Sequence, residues 1–377
     1  MTKMCYHPWV GLDISPQGNF KPCCKYKNTV ANSLTDYQSS SELSQLKKDF
    51  LNGNQPNACG RCWQDEDAGL PSKRIIDNEY VFQNLKPSLD SLKVLSLPFG
   101  NLCNLACRIC NSGASSKWTQ EEQRIKSIFP TINIRQPSTF HRNDEFIDSI
   151  KMLTSDLIRL EIPGGEPFYA DKQLHKNFLE HFIHPEKISL HYITNGTVWP
   201  DRELIELWKK FRHVDIQISL DGIEKKFEYS RWPSDWNSVS FHIGKYLALK
   251  TDMPNVQLSI SYTVSIFTLY DLPEFLDWCK IHDLPDPYLG LLTKPAHYDI
   301  TVLPYAAKEE ISRRFKTHQQ LTPILSAMWA QDNSKLLDIT INYVKILDKQ
   351  RNQSFAETFP ELYNLLGERC QTLYQQY

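Results

Sequence analysis

Nowhere in the 377 residues is there an apolar run of the length, about 18 positions, that would cross a bilayer. The opening segment, MTKMCYHPWVGLD, has no apolar core of a secretory signal. Charge is also nearly balanced, at −2 net, which leaves no electrostatic footprint for nucleic acid beyond a local patch. The eleven histidines include no H-x-x-x-H pair, so neither a zinc-protease helix nor a nucleophilic triad is suggested. Internal repeats and low-complexity tracts are missing too. These absences point to a soluble, cytoplasmic chain that needs no membrane and no nucleic-acid partner. Its 41% hydrophobic content is enough for a substantial core.

What the chain does have is cysteine, unevenly spread: eight of its ten lie within the first 110 residues. In a reducing compartment such a concentration reads as metal ligation or catalysis rather than disulfides. The stretch LKVLSLPFGNLCNLACRIC, residues 92–110, runs from an alternating strand-like segment into a loop bearing Cys103, Cys107 and Cys110. Thiolates are the usual ligands of iron–sulfur clusters, and a four-iron cubane normally takes four. Three on one loop leave an iron open to a substrate or cofactor. Structural zinc would need a fourth ligand, and none follows closely. This C-x3-C-x2-C loop resembles the signature of the radical S-adenosylmethionine (SAM) superfamily. The resemblance implies that SAM chelates the open iron of a [4Fe–4S] cluster. It further implies reductive cleavage of SAM to a 5′-deoxyadenosyl radical that abstracts hydrogen from a substrate.

Upstream, Trp9 to Ile14 and Phe20 to Cys24 read as two strands joined by the turn Ser15-Pro16-Gln17-Gly18. A helix follows over 41–52, ending at Gly53, and then a CGRC turn with Cys59 and Cys62. Cys5, twelve residues, Gly18, four residues and Cys23, with the later C-x2-C, resemble the twitch module, a shortened SPASM domain. That resemblance implies one auxiliary [4Fe–4S] cluster on Cys5, Cys23, Cys59 and Cys62, with Cys24 as the alternative to Cys23. A four-cysteine zinc knuckle is the other reading of the same residues. In most relatives the module follows the barrel, whereas here it precedes it. The charged stretch from Trp63 to Tyr80 is expected to be a solvated linker.

Six strand-like runs, 92–97, 157–162, 188–194, 214–220, 256–264 and 288–292, alternate with segments of helical length. The expected fold is therefore α/β: a partial (βα)6 barrel over 86–303, preceded by a Cys-rich hairpin and helix domain over 1–85. A helical extension over 304–377, with helices at 306–316, 323–332, 338–349 and 360–377, is expected to cap the barrel or the auxiliary cluster. Sites in such barrels lie on the loops after the strands. There the chain carries Gly164-Gly165-Glu166-Pro167, which resembles the GGEP motif and implies that Glu166 meets the SAM amino group. Asn195 and Ser219 match positions facing the SAM ribose and carboxylate, and Arg231 could pair with that carboxylate. Ile109 stands where relatives commonly place an aromatic beside the adenine. The long 111–149 segment reads as a lid or binding segment at the mouth of the site and a candidate for substrate contact, while Asp271 and Glu274 read as an N-cap pair. Cys279 and Cys370 read as structural, and no catalytic residue is assigned.

Relatives with twitch or SPASM modules mostly modify peptides or proteins, so a peptide is the expected substrate, and a flavodoxin- or ferredoxin-like protein the expected reductant. Modification of a small molecule or nucleotide, and a non-enzymatic metal-binding scaffold, are the alternatives.

Overall fold

The computed structural model describes residues 3–83 and 91–375. The expected boundary at 85/86 falls outside the described residues. Eight strands form one sheet: β1 Gly11–Ile14, β2 Phe20–Lys21, β3 Val94–Ser96, β4 Arg159–Ile162, β5 Ser189–Thr194, β6 His213–Ser219, β7 Val256–Val264 and β8 Tyr288–Leu291. Their order is β2-β1-β3-β4-β5-β6-β7-β8, with every pairing parallel except that of β1 and β2. The six expected strands are all present, and helices connect them.

The N-terminal hairpin differs from expectation. Its first strand is not walled off but pairs with β3, Leu12 opposite Leu95, and so extends the barrel sheet. The strand is also shorter, because Pro8 starts a helical turn over His7–Val10. Pro22, which has no N–H for a ladder, follows directly on the two-residue β2. The turn between them forms as its residues suggest, with Gly18 at φ +82° and its N–H donated to the Ser15 carbonyl at 2.8 Å. Across the open side, the helix Gly60–Asp67 reaches the last strand. Arg61 Nη2 donates to the Leu291 carbonyl at 2.6 Å.

Strands buried on both faces read as continuous apolar runs, but these alternate. Val214, Ile216 and Ile218 pack outward against the helices, while His213, Asp215, Gln217 and Ser219 are half-buried on the inner face. A polar row runs in register across five strands: Asp13, Ser96, Glu161, His191 and Asp215. The supposed linker supplies its counter-charges. Lys73 pairs with Glu161 at 2.8 Å and with Asp77 at 2.9 Å, and His7 bonds Asp77 at 2.7 Å. Arg74 and Asp77 are buried, so the Trp63–Tyr80 segment is a buried ionic brace rather than a solvated face. The sequence pattern misled because charged residues go inside only when paired, and pairing is invisible in one segment read alone.

Two further expectations change. Asp271 precedes the helix Leu272–Ile281 without capping it. Its carboxylate accepts instead from Lys226 Nζ at 2.7 Å, and Glu274 pairs with Arg314. At the C-terminal end the last expected helix is two, Pro360–Leu365 and Glu368–Gln375, separated at Gly367, φ +84°. The helix Leu337–Arg351 packs behind the 103–110 loop.

Candidate cluster and cofactor site

The loop carrying Cys103, Cys107 and Cys110 begins shortly after β3 and is held from several sides. Ala106 N donates to the Trp232 carbonyl at 2.7 Å, and Arg108 N to that of Ser230 at 2.8 Å. Ser115 Oγ donates to the Leu105 carbonyl at 2.5 Å, and Trp118 Nε1 to that of Cys107 at 2.9 Å. These last two residues belong to the segment expected to be a lid. Its first part instead buttresses the loop, through the helix Trp118–Ile125. From the C-terminal side, Arg351 Nη2 donates to the Ala106 carbonyl at 2.8 Å and to Glu121 at 2.5 Å. Arg108 is clamped by Asp348, by Gln353 at 3.0 Å and over the Tyr229 ring.

Three N–H donors face the thiols. Leu105 N lies 3.4 Å from Cys103 Sγ, Asn195 Nδ2 3.8 Å from the same sulfur, and Arg231 Nη1 3.9 Å from Cys107 Sγ. Burial pushes Cys103 up to about 12, and its neighbour Cys107 adds to the rise. Burial likewise raises Cys110, followed by repulsion from Cys107 and Cys103. Cys107 is raised by burial, with Arg231 and Arg351 pulling down and Asp221 pushing up. Three crowded, desolvated thiols with N–H groups aimed at sulfur are a donor set that favours thiolate once cations bind. The residues therefore fit an iron–sulfur cluster. Among the described residues no three His, Cys, Asp or Glu side chains close to the spacing of a single ion's shell. A cubane, whose thiolates bind separate irons, asks for a wider spread.

The Gly164-Gly165-Glu166 turn is pressed against this loop. Glu166 N donates to the Leu102 carbonyl at 2.8 Å. A Cβ on Gly165 would lie 2.1 Å from that oxygen, and one on Gly164 2.6 Å from Pro98 Cβ, with both φ angles positive. Only glycine allows this approach. The Glu166 carboxylate is fully buried and accepts from Thr194 Oγ1 at 2.8 Å, Asn195 N at 2.7 Å and Phe168 N at 3.2 Å. Burial raises it to about 7 in spite of these bonds. It thus ties the loop after β4 to the end of β5, with one of its roughly four acceptor positions left over.

Asn195 holds its place through Asn104 Oδ1 at 2.9 Å and through Thr197, whose N donates to Asn195 Oδ1 at 2.9 Å. Arg231 pairs with Asp221 at 2.8 Å and leaves its Nε without a partner. Ser219 stands half-buried at the end of β6 opposite Ser261. Ile109 is half-buried against the main core. Sequence reasoning passed over Thr194, Asp221, Arg351 and Arg108. For the first two, closeness to the candidates Asn195 and Ser219 at strand ends was a usable signal, but nothing local marked the arginines.

The other cysteines separate clearly. Cys5, Cys23, Cys59 and Cys62 line one small cavity with Tyr26, Phe50 and Arg74. Burial raises all four, Cys59 to about 12. Cys24 does not line it. It is exposed, and its charged neighbours are Lys73, Asp13, Lys25 and Glu161, of which Asp13 and Glu161 belong to the polar row of the sheet. Cys279 and Cys370 are buried.

Several solved structures align with part of this chain. A histidine-tagged anSMEcpe with bound AdoMet aligns at 17% identity over 61% of this chain and 59% of that one, TM-score 0.44. Native anSMEcpe with AdoMet and the Cp18Cys peptide aligns at 17% identity over 61% of this chain and 60% of that one, TM-score 0.42. Streptococcus suis SuiB bound to S-adenosylmethionine aligns at 15% identity over 78% of this chain and 52% of that one, TM-score 0.35. Those solved structures hold S-adenosylmethionine. The alignment spans less than two thirds of the solved chains. No family model and no curated protein matches the sequence. Among the described residues no helix is long and apolar enough to cross a membrane.

Proposed function

We propose that this protein is a radical SAM enzyme. In this reading Cys103, Cys107 and Cys110 hold a [4Fe–4S] cluster, and Cys5, Cys23, Cys59 and Cys62 hold an auxiliary one. The observation that carries the reading is the convergence of Leu105 N, Asn195 Nδ2 and Arg231 Nη1 on the loop sulfurs, beside the glycine turn of 164–165. A cluster held there with one iron open would supply the one electron that cleaves SAM to methionine and a 5′-deoxyadenosyl radical. The chain's own residues do the rest. Glu166 fixes the β4 and β5 loops against one another and keeps one acceptor position for the SAM ammonium. Arg231 has its free Nε for the carboxylate, and Asn195 and Ser219 stand at neighbouring strand ends for the ribose. Ile109 offers an aliphatic surface to the adenine. The half-buried polar face of β6 and β7 gives a substrate hydrogen-bonding partners inside the barrel.

The proposed substrate is a peptide, drawn from the likeness of the N-terminal cysteines to the twitch module, and the proposed reductant for SAM cleavage is a flavodoxin- or ferredoxin-like protein. Anaerobic reconstitution of the wild type and of a Cys103/Cys107/Cys110→Ala variant tests the reading, with iron and zinc counted and 5′-deoxyadenosine assayed. About eight irons against about four, with cleavage by the wild type alone, is the expected result. Zinc at the N-terminal cysteines would remove the auxiliary cluster. Absence of 5′-deoxyadenosine under strong reduction would leave a metal-binding scaffold. Wild type that cleaves SAM but modifies a small molecule in place of a peptide would change the substrate class only.

A further inference from the structure

Arg231 and Asp221 face Cys107 as an oriented pair. Both are buried, the guanidinium and carboxylate meet at 2.8 Å, and Arg231 Nη1 points at Cys107 Sγ from 3.9 Å. Asp221 is fixed in turn by Thr263 N, which donates to its Oδ1 at 2.9 Å. A second buried guanidinium, that of Arg351, lies on the far side of the loop. It bonds the Ala106 carbonyl at 2.8 Å and stacks over Trp118 and Trp232 at 5.1 and 4.9 Å. The cysteine loop is therefore bracketed by two cations, each with its counter-charge beside it, Asp221 for Arg231 and Glu121 for Arg351. Cluster potentials follow net charge, hydrogen bonds to sulfur and exclusion of water. Reduction adds negative charge, so a cation beside the sulfur favours the reduced form and an anion opposes it, strongly where water is scarce.

We propose that the Arg231–Asp221 pair sets the reduction potential of the cluster on the 103–110 loop, Arg231 raising it and Asp221 lowering it, while Arg351 adds a smaller upward contribution from the C-terminal helix. This rests on the reading that Cys103, Cys107 and Cys110 hold a cluster. Asp221 and Arg351 are positioning residues that act through the thiolates, Arg231 does so in addition to its place beside the SAM carboxylate, and the helical extension becomes part of the redox site.

The test is a potentiometric titration of the reconstituted full chain, followed by electron paramagnetic resonance. The signal that responds to added SAM is assigned first, and the potential is then measured without SAM. Arg231→Met is expected to lower the reduced-to-oxidised ratio at a fixed potential at least tenfold, equivalent to about 59 mV for one electron. Asp221→Asn is expected to raise the ratio severalfold, and Arg351→Met to lower it less than Arg231→Met does. Arg231→Lys should fall between wild type and Arg231→Met. Opposite signs for Arg231→Met and Asp221→Asn at equal iron content are a result that loosened packing cannot produce. The double variant Arg231→Met/Asp221→Asn leaves no uncompensated charge and returns toward wild type once the single variants have shifted; if Arg231→Met takes up no cluster, Arg231→Lys against Asp221→Asn supplies the two signs. Shifts of the same sign, or no shift, overturn the proposal. A wild type that binds no iron at the loop overturns the cluster reading instead.

Discussion

The two cysteine sites are built by opposite strategies. One gathers three thiols from a single short loop and surrounds them with N–H donors from elsewhere: Asn195 from the end of β5, and Arg231 after β6. The other draws four thiols from three places between Cys5 and Cys62 and closes them in a cavity walled by Tyr26 and Phe50. The first keeps hydrogen-bonding capacity buried beside its thiols, in the Arg231 Nε and one acceptor position of Glu166. The second lines one cavity with four thiols, the number that a closed cubane takes. A site with open valence calls for donors that can be shared with a ligand, whereas a complete set calls for burial.

Breaking each site in turn should give the largest contrast. Removing Cys107 by Cys107→Ala is expected to abolish 5′-deoxyadenosine formation. Cys59→Ala should lower iron by about half yet keep SAM cleavage, losing product formation on the true substrate; equal loss of cleavage in both would erase the distinction drawn here. Within the N-terminal site, Cys23→Ser is expected to lose the auxiliary iron and Cys24→Ser to keep it, since only Cys23 lines the cavity. Iron counting on the two proteins decides between them, and the reverse result would make Cys24 the ligand.

Gly165→Ala sharpens the comparison from the packing side. The added methyl would meet the Leu102 carbonyl at 2.1 Å with φ at +53°. A loss of about 3 kcal/mol is expected, read by thermal melting together with weaker SAM binding; an unchanged melt would show that the two loops can part. The ionic brace between the N-terminal module and β4 comes next. Burial alone would raise Glu161, but Lys73 and Arg159 outweigh it and hold it down to about 2. A carboxylate depressed in this way contributes stability above its unfolded value near 4.5 and loses it as pH falls toward 2. Lys73→Met should therefore cost about 3 kcal/mol at neutral pH and flatten the acid limb of the stability profile. Chemical denaturation between about pH 2 and 6 measures both effects. The smallest effect is expected at Asp271. Because its side chain caps no helix, Asp271→Ala should cost about 1 kcal/mol or less, through the lost pair with Lys226.

The strands were legible because their apolar residues alternate over several positions, as along Val256–Val264. The loop cysteines and the glycine turn were legible because their chemistry lies within a few consecutive residues. Where partners sit far along the chain the reading failed. The Trp63–Tyr80 charges looked solvated, yet Lys73 meets Glu161 88 residues away. The 111–149 segment looked like a lid, yet Trp118 and Ser115 bond the cysteine loop. Arg351 bonds the Ala106 carbonyl from 245 residues away, a contact that no window of sequence contains.

By itself, then, the sequence determined the α/β order of elements, the three-cysteine loop, and the two glycines that let another loop approach it, because spacing and backbone permissiveness are local properties. Only the tertiary structure decided that β1 joins the sheet, that Cys23 and not Cys24 lines the N-terminal cavity, and that the helix Leu337–Arg351 backs the cysteine loop. Those outcomes depend on which desolvated groups find partners, and a buried charge or thiol is stable only beside residues that the fold, not the local chain, brings to it.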